Sequence, residues 1–258
     1  GTESTYLCTK KLYGDFILEV DVKMEVGLNS GIQFRSLSHD NGEVYGYQAE
    51  IDASDRKWSG GIFDQSRRGW VYPVTMNEPG REAFKNGTWN SYRIEAIGNS
   101  IRTWVNGVQV TNLVDDMTSE GFVAFQIHKI KNKKQEGLNV RWRGAKILLE
   151  NLENERWPVA VHATEMSYLK NELTPSETRK GWRLLWDGKT TNGWKGAKLS
   201  DFPEAGWEIK DGVLSVLESG GGESRNGGDI VTKETFGDFE LELEFKITSG
   251  ENRGIKHF

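Results

Sequence analysis

The sequence is poor in cysteine, in proline and in continuous apolar runs. Its single cysteine, Cys8, excludes an internal disulfide and leaves the redox compartment open. No run approaches the ~18 apolar residues of a membrane-spanning helix, so no membrane span is predicted. No Lys/Arg-rich run is interleaved with aromatic residues, and the formal net charge is -5. Nucleic acid is therefore not expected as a partner.

Glycine and large aromatic residues are plentiful instead. The 258 residues include 30 Gly, 10 Trp and 11 Phe, against 5 Pro. Long Ala, Leu or Glu runs are few. This composition favours β-structure with many turns and enough aromatic bulk for a core.

One segment occurs twice. Residues 9–35 and 232–258 align without a gap at a constant offset of 223 positions. Internal repeats determine architecture, and this spacing is far too long for a solenoid unit. We therefore expect two related domains: a first copy over 1–150 that lacks its first strands, a linker over 151–180, and the opening strands of a second, truncated copy over 181–258. On this interpretation the polypeptide continues beyond both ends.

Apolar and polar residues alternate along many short segments. Residues 16–24 place every second, apolar side chain on one face, and residues 239–246 repeat the pattern. A period of two is typical of strands with one buried face. Asn106 and Gly107 indicate a hairpin, because a type I′ turn needs positive φ at both central residues. Further strands are expected at 31–35, 45–52, 60–63, 89–97, 100–105, 108–110, 122–128 and 138–149.

The alternation stops between residues 151 and 180. There Thr174, Pro175 and Glu177 have the spacing of a capped helix start, which predicts a short helix in the linker. A second hairpin is expected over 207–214, with Asp-Gly at its turn. The whole pattern predicts an all-β, antiparallel β-sandwich of the jelly-roll type, built as two related domains.

An ordered set of short motifs carries a family resemblance. The motifs are LWDGK at 185–189, NGW at 192–194, the hairpin at 207–214, GDF at 237–239, NSGIQFR at 29–35, GYQAEID at 46–52, WNSY at 89–92, NSIRTWVNG at 99–107 and QIH at 126–128. Together they resemble the 3-keto-disaccharide hydrolase domain family. The resemblance implies a concanavalin-like lectin/glucanase jelly roll, a saccharide substrate and, by the habit of bacterial glycan-degrading proteins, a periplasmic or secreted location.

Polar residues lie on one side of four expected strands. Side chains at i and i+2 share a face, and in a sandwich the apolar faces meet in the core. The polar faces then lie outside and line one groove if their sheet is concave, which suits a sugar. Any half-exposed antiparallel sheet also shows a polar outer face, so both interpretations stand. The polar sets are Gln33 and Arg35; Gln48, Glu50 and Asp52; Arg102 and Trp104; and Gln126 and His128.

The resemblance implies a particular reaction. In a sugar with a ketone at carbon 3, a base can remove the acidic proton of carbon 2, and the group on carbon 1 then leaves. Arg35 and Gln33 could polarise the ketone. Glu50 or His128 could be the base and the other the acid, while Asp52 orients His128 or holds a hydroxyl.

Two further features stay open at the level of sequence. The loop that carries Asp64, Arg67 and Arg68 could gate the groove and bind sugar, or be an exposed charged turn. No cofactor is expected, although one histidine and two carboxylates, as in His128, Glu50 and Asp52, are an adequate set for a divalent metal.

Two alternative functions remain beside the 3-keto glucoside enzyme. One is a non-catalytic carbohydrate-binding module of the same fold. The other is a retaining glucanase that uses Glu50 and Asp55, because residues 50–55 resemble a Glu-x-Asp-x-x-Glu run with a shorter last acid. The sequence does not indicate an oligomeric state.

Overall fold

The computed structural model describes residues 3–130, 132–217, 228–248 and 254–255. They belong to two compact units. Unit 1 comprises Gly1–Leu169 and Leu173–Trp182, and unit 2 comprises Lys170–Glu172 and Arg183–Phe258.

Unit 1 is a sandwich of two sheets with two short helices. Its strands are β1 (Thr5–Cys8), β2 (Phe16–Met24), β3 (Asn29–Ser38), β4 (Val44–Asp52), β5 (Ile62–Gln65), β6 (Gly69–Tyr72), β7 (Trp89–Ile97), β8 (Ser100–Val105), β9 (Val108–Val114), β10 (Phe122–Ile127), β11 (Val140–Leu148) and β12 (Met166–Ser167). The helices are α1 (Glu78–Arg81) and α2 (Pro175–Arg179), with 3-10 turns at Lys133–Gln135 and Leu152–Glu155.

The strands pair in two six-stranded sheets. The front sheet has the order β1-β10-β3-β4-β5-β6, and the back sheet has the order β11-β2-β7-β8-β9-β12. All these pairs are antiparallel except β12 with β9. The predicted all-β, antiparallel sandwich is confirmed.

The core lies between the two sheets. Alternate residues of β2, from Phe16 to Met24, pack against Ile32 and Phe34 of β3 and against the apolar side of β4. That side consists of Tyr47, Ala49 and Ile51, all buried. Burial of these side chains is the main favourable term in folding, so the period of two determines which face of each strand turns inward.

The predicted turns and cap are confirmed. Asn106 and Gly107 have φ of 50° and 79°, and Asp211 and Gly212 have φ of 51° and 72°, as type I′ hairpins require. At the start of α2, Thr174 Oγ1 accepts from the Glu177 amide at 3.1 Å, while Glu177 Oε2 accepts from the Thr174 amide at 2.6 Å. This capping box satisfies two free amides of the helix end.

Most of the segment expected to be a linker, 151–180, belongs to unit 1. Trp157 meets Trp104 edge to face on the outer side of the back sheet, with ring centroids 5.5 Å apart. The Ala160 amide donates to Gln109 Oε1 at 2.7 Å, and β12 pairs with β9. These contacts cover the outer face of the back sheet.

Unit 2 contains two small antiparallel pairs. β13 (Trp194–Gly196) pairs with β16 (Ile230–Thr232), and β14 (Trp207–Lys210) pairs with β15 (Val213–Val216). Across the described parts of the chain, no helix is long and apolar enough to cross a membrane.

The strand expected at 239–246 does not form. Residues 237–248 have no regular structure, and Leu243 and Phe245 are exposed. β2, the counterpart in the repeat, pairs with β7 on one side and β11 on the other. No described strand of unit 2 pairs with 239–246, and an alternating segment becomes a strand only when its backbone groups are paired. Residues 249–253 and 256–258, which end the repeat, lie outside the described residues.

Candidate functional site

The outer face of the front sheet carries a groove of about 420 Å³. Its floor comes from β4 and β10, one wall from β5 and β6, and its rim from the turns at 27–29 and 54–56 and from residues 128 and 135. Most polar side chains on this face are buried even though they point away from the core. The face therefore differs from an ordinary solvated one, and it has the size and polarity of a small-molecule site.

Glu50 lies on the floor of the groove, in the middle of the front sheet. Its side chain is 6% exposed. Oε1 accepts from Asn29 Nδ2 at 2.6 Å and from Arg56 Nη2 at 3.2 Å, whereas Oε2 accepts from Gln48 Nε2 at 2.9 Å. A carboxylate has about four lone-pair positions, and the donors among the described residues leave one on Oε2 for an incoming proton.

The ionisation of Glu50 is shifted towards neutral pH. Burial is the largest cause, and it raises the pKa of this carboxyl from 4.5 to about 7. Hydrogen bonds from Asn29 and Gln48 and the charge of Arg56 act in the opposite direction, and the charge of Asp52 adds to the increase. A carboxyl that is reachable from a groove and titrates near pH 7 is suited to general-base chemistry.

Arg56 places a cation beside Glu50. Its guanidinium carbon lies 4.9 Å from the centroid of the Trp58 ring and 4.7 Å from that of Trp70. Arg56 Nε donates to Asp52 Oδ2 at 2.8 Å. Contacts with two rings and two carboxylates hold this side chain although it is 40% exposed.

Asp52 is held as an ion at the edge of the same floor. Burial raises its pKa, but hydrogen bonds from Ser54 and the pairing with Arg56 outweigh burial and leave the pKa below its ordinary value. Asp52 and Glu50, two residues apart on one strand, therefore have opposite ionisation behaviour. Two carboxyl groups whose pKa values are shifted in opposite directions are typical of sites in which one group acts as acid and the other as base.

Gln126 lies on the β10 side of the groove floor, and His128 lies on the rim beside it. Gln126 Nε2 donates to the Tyr6 hydroxyl at 3.3 Å, and His128 Nδ1 lies 3.0 Å from the Lys129 carbonyl oxygen. The structure thus brings Gln48, Glu50, Asp52, Gln126 and His128, which the sequence singled out, into one groove.

These residues do not form a metal-binding site. Within the described ranges, no group of three His, Cys, Asp or Glu side chains is placed to hold a metal ion. The physical reason is Arg56, whose guanidinium bridges Glu50 and Asp52 where a shared cation would lie. The alternative of a metal held by Glu50, Asp52 and His128 does not fit this arrangement.

Gln33 lies behind the groove rather than in its lining. The side chain is fully buried, and its Nε2 donates to Gln48 Oε1 at 2.8 Å. The predicted direction of Gln33 is right, since it lies on the Gln48 side of the sheet. Direct contact with a substrate is blocked by burial.

The expected position of Arg35 in the groove is wrong. The register of β3 against β4 shifts between Phe34 and Leu37, and Arg35 has φ of 44°. A bulge of this kind breaks the alternation of side chains. Arg35 is 1% exposed and donates to the carbonyl oxygens of Gly14 at 2.9 Å and Gly98 at 2.8 Å, besides its ion pair with Asp15. Arg35 thus connects the front sheet by hydrogen bonds to the turns before β2 and between β7 and β8 of the back sheet.

Replacing Arg35 should therefore affect the stability of the sandwich. We expect Arg35→Met to lower the free energy of unfolding by about 2–3 kcal/mol, because it removes the charge-assisted hydrogen bonds of a buried guanidinium to two part-buried carbonyl groups. Urea unfolding measures the loss. An Arg35→Met protein as stable as the wild type would contradict this structural role.

The cluster of Asp64, Arg67 and Arg68 also lies outside the groove. Asp64 is opposite Tyr47 in the sheet register and so faces the inner side. It is fully buried and pairs with Arg67 and Arg68, each at 2.6 Å, while Arg68 reaches Asp115 at 2.6 Å. These ions satisfy one another at the end of the sandwich. The loop was expected either to gate the groove or to be an exposed charged turn. It lies outside the groove, and its charged side chains are held in ion pairs.

Arg102 and Trp104 lie on the back sheet, whereas the groove is on the front sheet. They point outward from β8 of the back sheet, and Trp104 is covered by Trp157. Alternation correctly predicts that both point away from the core. It cannot tell which of the two sheets carries them, so their expected contact with substrate is wrong.

Asp55 does not line the groove either. It is exposed on the turn after β4, whereas Glu50 is buried on the floor. A retaining mechanism requires two carboxyl groups on either side of one bond. The pair proposed for a retaining glucanase is not placed in one site.

Sequence reasoning missed Asn29, Arg56 and Trp70 as groove residues. Asn29 and Arg56 contact Glu50 directly, and Trp70 packs beside Arg56. A signal for Arg56 was available: it follows Asp52 by four residues and is close to Trp58. Loop residues have no periodicity, so only this charge pairing could have indicated it.

Comparison with known proteins agrees with the expected family. A 3-keto-disaccharide hydrolase of Bacteroides thetaiotaomicron is 43% identical over 77 residues, which are 29% of this chain and 26% of that protein. The match thus spans about a quarter of the relative's length.

Solved structures resemble the sandwich at low sequence identity. The carbohydrate-binding module CBM66 of Bacillus subtilis is 15% identical, with a TM-score of 0.41, over 57% of this chain and 83% of that one. Sheep galectin-11 is 10% identical, with a TM-score of 0.33, over 57% of this chain and 98% of that one.

One family model matches the chain in two segments, residues 1–148 and 181–257. The segments leave out residues 149–180, close to the expected linker, and residue 258, and they include every motif quoted from the sequence. The chain belongs to the family of 3-keto-alpha-glucoside-1,2-lyase-like domains.

Proposed function

We propose that unit 1 is a carbohydrate-active enzyme that cleaves the glycosidic bond of a 3-keto glucoside or 3-keto disaccharide. The observation that carries the proposal is Glu50: a buried carboxyl on the floor of a groove, with a pKa of about 7 and one lone pair of Oε2 that no described donor engages. Such a group is a general base for a weakly acidic C–H bond.

The reaction begins at carbon 2 of the keto sugar. Glu50 Oε2 takes the proton of carbon 2, and the electrons of that C–H bond move to the ketone oxygen as an enolate. The enolate collapses, the bond between carbon 1 and the leaving oxygen breaks, and a double bond forms between carbons 1 and 2. The leaving oxygen takes a proton, and addition of water to the double bond completes a net hydrolysis.

Arg56 replaces Arg35 as the cation that faces the enolate. It lies next to Glu50 on the groove rim, and its guanidinium is held in place by two aromatic rings and by Asp52. A fixed cation beside developing negative charge lowers the barrier because it needs no reorganisation during the step. His128, on the rim of the groove, is the candidate donor to the leaving oxygen.

The site favours this reaction over the two alternatives. The glucanase requires Asp55, which is exposed outside the groove. A binding module needs no carboxyl with a raised pKa, since keeping such a group buried costs stability once it ionises. The same groove would bind the sugar in either case, so a turnover experiment has to decide.

We expect the protein to release the aglycone from a 3-keto glucoside and to leave the parent glucoside intact. Product release is followed by chromatography on both substrates at several pH values. Because Glu50 must be ionised to act as base, kcat/KM should fall about tenfold per pH unit below pH 7 and level off above it. Binding without release would favour the carbohydrate-binding module, and cleavage of an unoxidised glucan would favour the glucanase.

A further inference from the structure

A chain of buried hydrogen bonds runs from Ser36 to Glu50 through two glutamines. Ser36 Oγ donates to Gln33 Oε1 at 2.8 Å, Gln33 Nε2 donates to Gln48 Oε1 at 2.8 Å, and Gln48 Nε2 donates to Glu50 Oε2 at 2.9 Å. Ser36 and Gln33 are fully buried and do not line the groove. Only the end of the chain, at Gln48 and Glu50, reaches the site.

The polarity of this chain is determined by its carboxylate end. An ionised carboxylate only accepts, so Gln48 must turn its amide nitrogen to Glu50 and its oxygen to the next residue. Gln33 must then present nitrogen to Gln48, which leaves its oxygen to the hydroxyl of Ser36. Every amide therefore has one orientation as long as Glu50 is ionised.

The backbone leaves room for the chain. Gly31 lies opposite Glu50 in the sheet register, and the Gln48 side chain crosses above it. A Cβ on Gly31 would come within 2.3 Å of Gln48 Cδ, closer than atoms pack. Any other residue at this position would force the Gln48 side chain to shift.

We propose that Gln33 and Ser36 are positioning residues that act on Glu50 through Gln48. They orient the Gln48 amide, which occupies one lone pair of Glu50 Oε2 and leaves the other for the proton of carbon 2. Glu50 then presents one atom in one geometry, as a general base must. The catalytic meaning of the chain rests on the proposed function, whereas its effect on Glu50 does not need a substrate.

The titratable and charged groups that face Glu50 do not belong to the hydrogen-bond chain. Arg56 and Asp52 follow it on the same side of the front sheet, and His128 lies on the rim of the groove. From the back sheet, the Tyr92 hydroxyl donates to the Glu50 backbone oxygen at 3.2 Å. None of these four contacts Gln33 or Ser36 in the described hydrogen bonds, so a change at Gln33 acts on Glu50 through Gln48.

The test is a titration of the Glu50 carboxyl by infrared difference spectroscopy, with Glu50→Gln as the reference that lacks the band. Gln48→Met removes a hydrogen bond to the charged form, and we expect an increase of one to two pH units in the midpoint, on the order of the strength of such a bond. Gln33→Met leaves Gln48 free to turn, and we expect an increase of about one unit or somewhat less. The acid limb of kcat/KM should move by the same amount.

The matched control is Gln109→Met. Gln109 is a buried glutamine of the back sheet, with its own bonds to the Thr111 carbonyl and the Ala160 amide. Its replacement should cost similar stability and leave the titration of Glu50 unchanged. If Gln33→Met does not fold, Ser36→Ala replaces it, with a smaller increase expected.

The possible outcomes separate this inference from the proposed function. A wild-type titration in Gln33→Met or Ser36→Ala overturns the positioning role, even if keto sugars are cleaved. A shifted titration in a protein that cleaves no keto sugar supports the chain and rejects the proposed reaction. If the Glu50 titration shifts by the same amount in Gln109→Met, the shift is a general effect of destabilisation. That result would also overturn the positioning role.

Discussion

Glu50→Gln should lose cleavage of the 3-keto glucoside by at least 10²–10⁴-fold, the usual contribution of a general base. The replacement keeps the size of the side chain but removes the lone pair that accepts a proton at neutral pH. Affinity for the sugar should change little, because most of the groove is untouched. Single-turnover kinetics measures the loss, and calorimetric titration with the parent glucoside measures the affinity.

The stability of this variant gives a second, independent result. Because the pKa of Glu50 is raised from 4.5 to about 7, the native state binds a proton more tightly than the unfolded chain. The wild type therefore loses stability as the pH rises from about 4.5 through about 7, by about 3 kcal/mol in all. Glu50→Gln lacks this loss, so its stability relative to the wild type should rise across that window in urea unfolding.

Asp55→Asn is the matched control for Glu50→Gln. It makes the same carboxylate-to-amide change five residues away, at an exposed position outside the groove. We expect wild-type turnover. Full activity of Glu50→Gln, or a comparable loss in Asp55→Asn, would contradict the assignment.

Arg56→Met should reduce kcat for the keto glucoside by about 10²–10³-fold, as removal of one fixed donor at a developing oxyanion does. It should also raise the pKa of Glu50, because the charge of Arg56 now lowers it. The acid limb of the pH profile then moves to higher pH. Kinetics at several pH values separates the loss of the cation from the change in ionisation.

The back sheet offers a matched control for Arg56. Arg143 lies 4.1 Å from the centroid of the Trp89 ring and pairs with Asp21 at 3.0 Å, the same kinds of contact that hold Arg56. Arg143→Met should leave both kcat and the acid limb unchanged. If Arg56→Met has the kcat of the wild type, Arg56 does not stabilise the enolate.

Local patterns predicted much of unit 1. The bounds of β2, β7 and β8 agree with the alternation to the residue, and the Asn-Gly and Asp-Gly turns were readable because they need positive φ. The polar side of β4 was readable for the same reason, since side-chain direction along a strand is a local property. Short edge strands such as β1 and β6 have too few residues to show a period.

What failed depends on long-range contacts. The bulge at Arg35 adds a residue to β3 through pairing with its neighbours, so the sequence of β3 alone does not reveal it. Arg102 and Trp104 needed knowledge of which sheet contains β8. The segment at 239–246 has the alternation of β2 but lacks pairing among the described residues, so the pattern alone did not make a strand.

The fate of the hydrogen on carbon 2 tests the central claim most directly. A 3-keto glucoside labelled with deuterium at carbon 2 is incubated with the protein, and aglycone release and label in the solvent are measured together. If Glu50 removes that hydrogen, the label should enter the water as fast as the aglycone appears, and neither should happen with Glu50→Gln. Aglycone release with the deuterium still on carbon 2 would contradict the account.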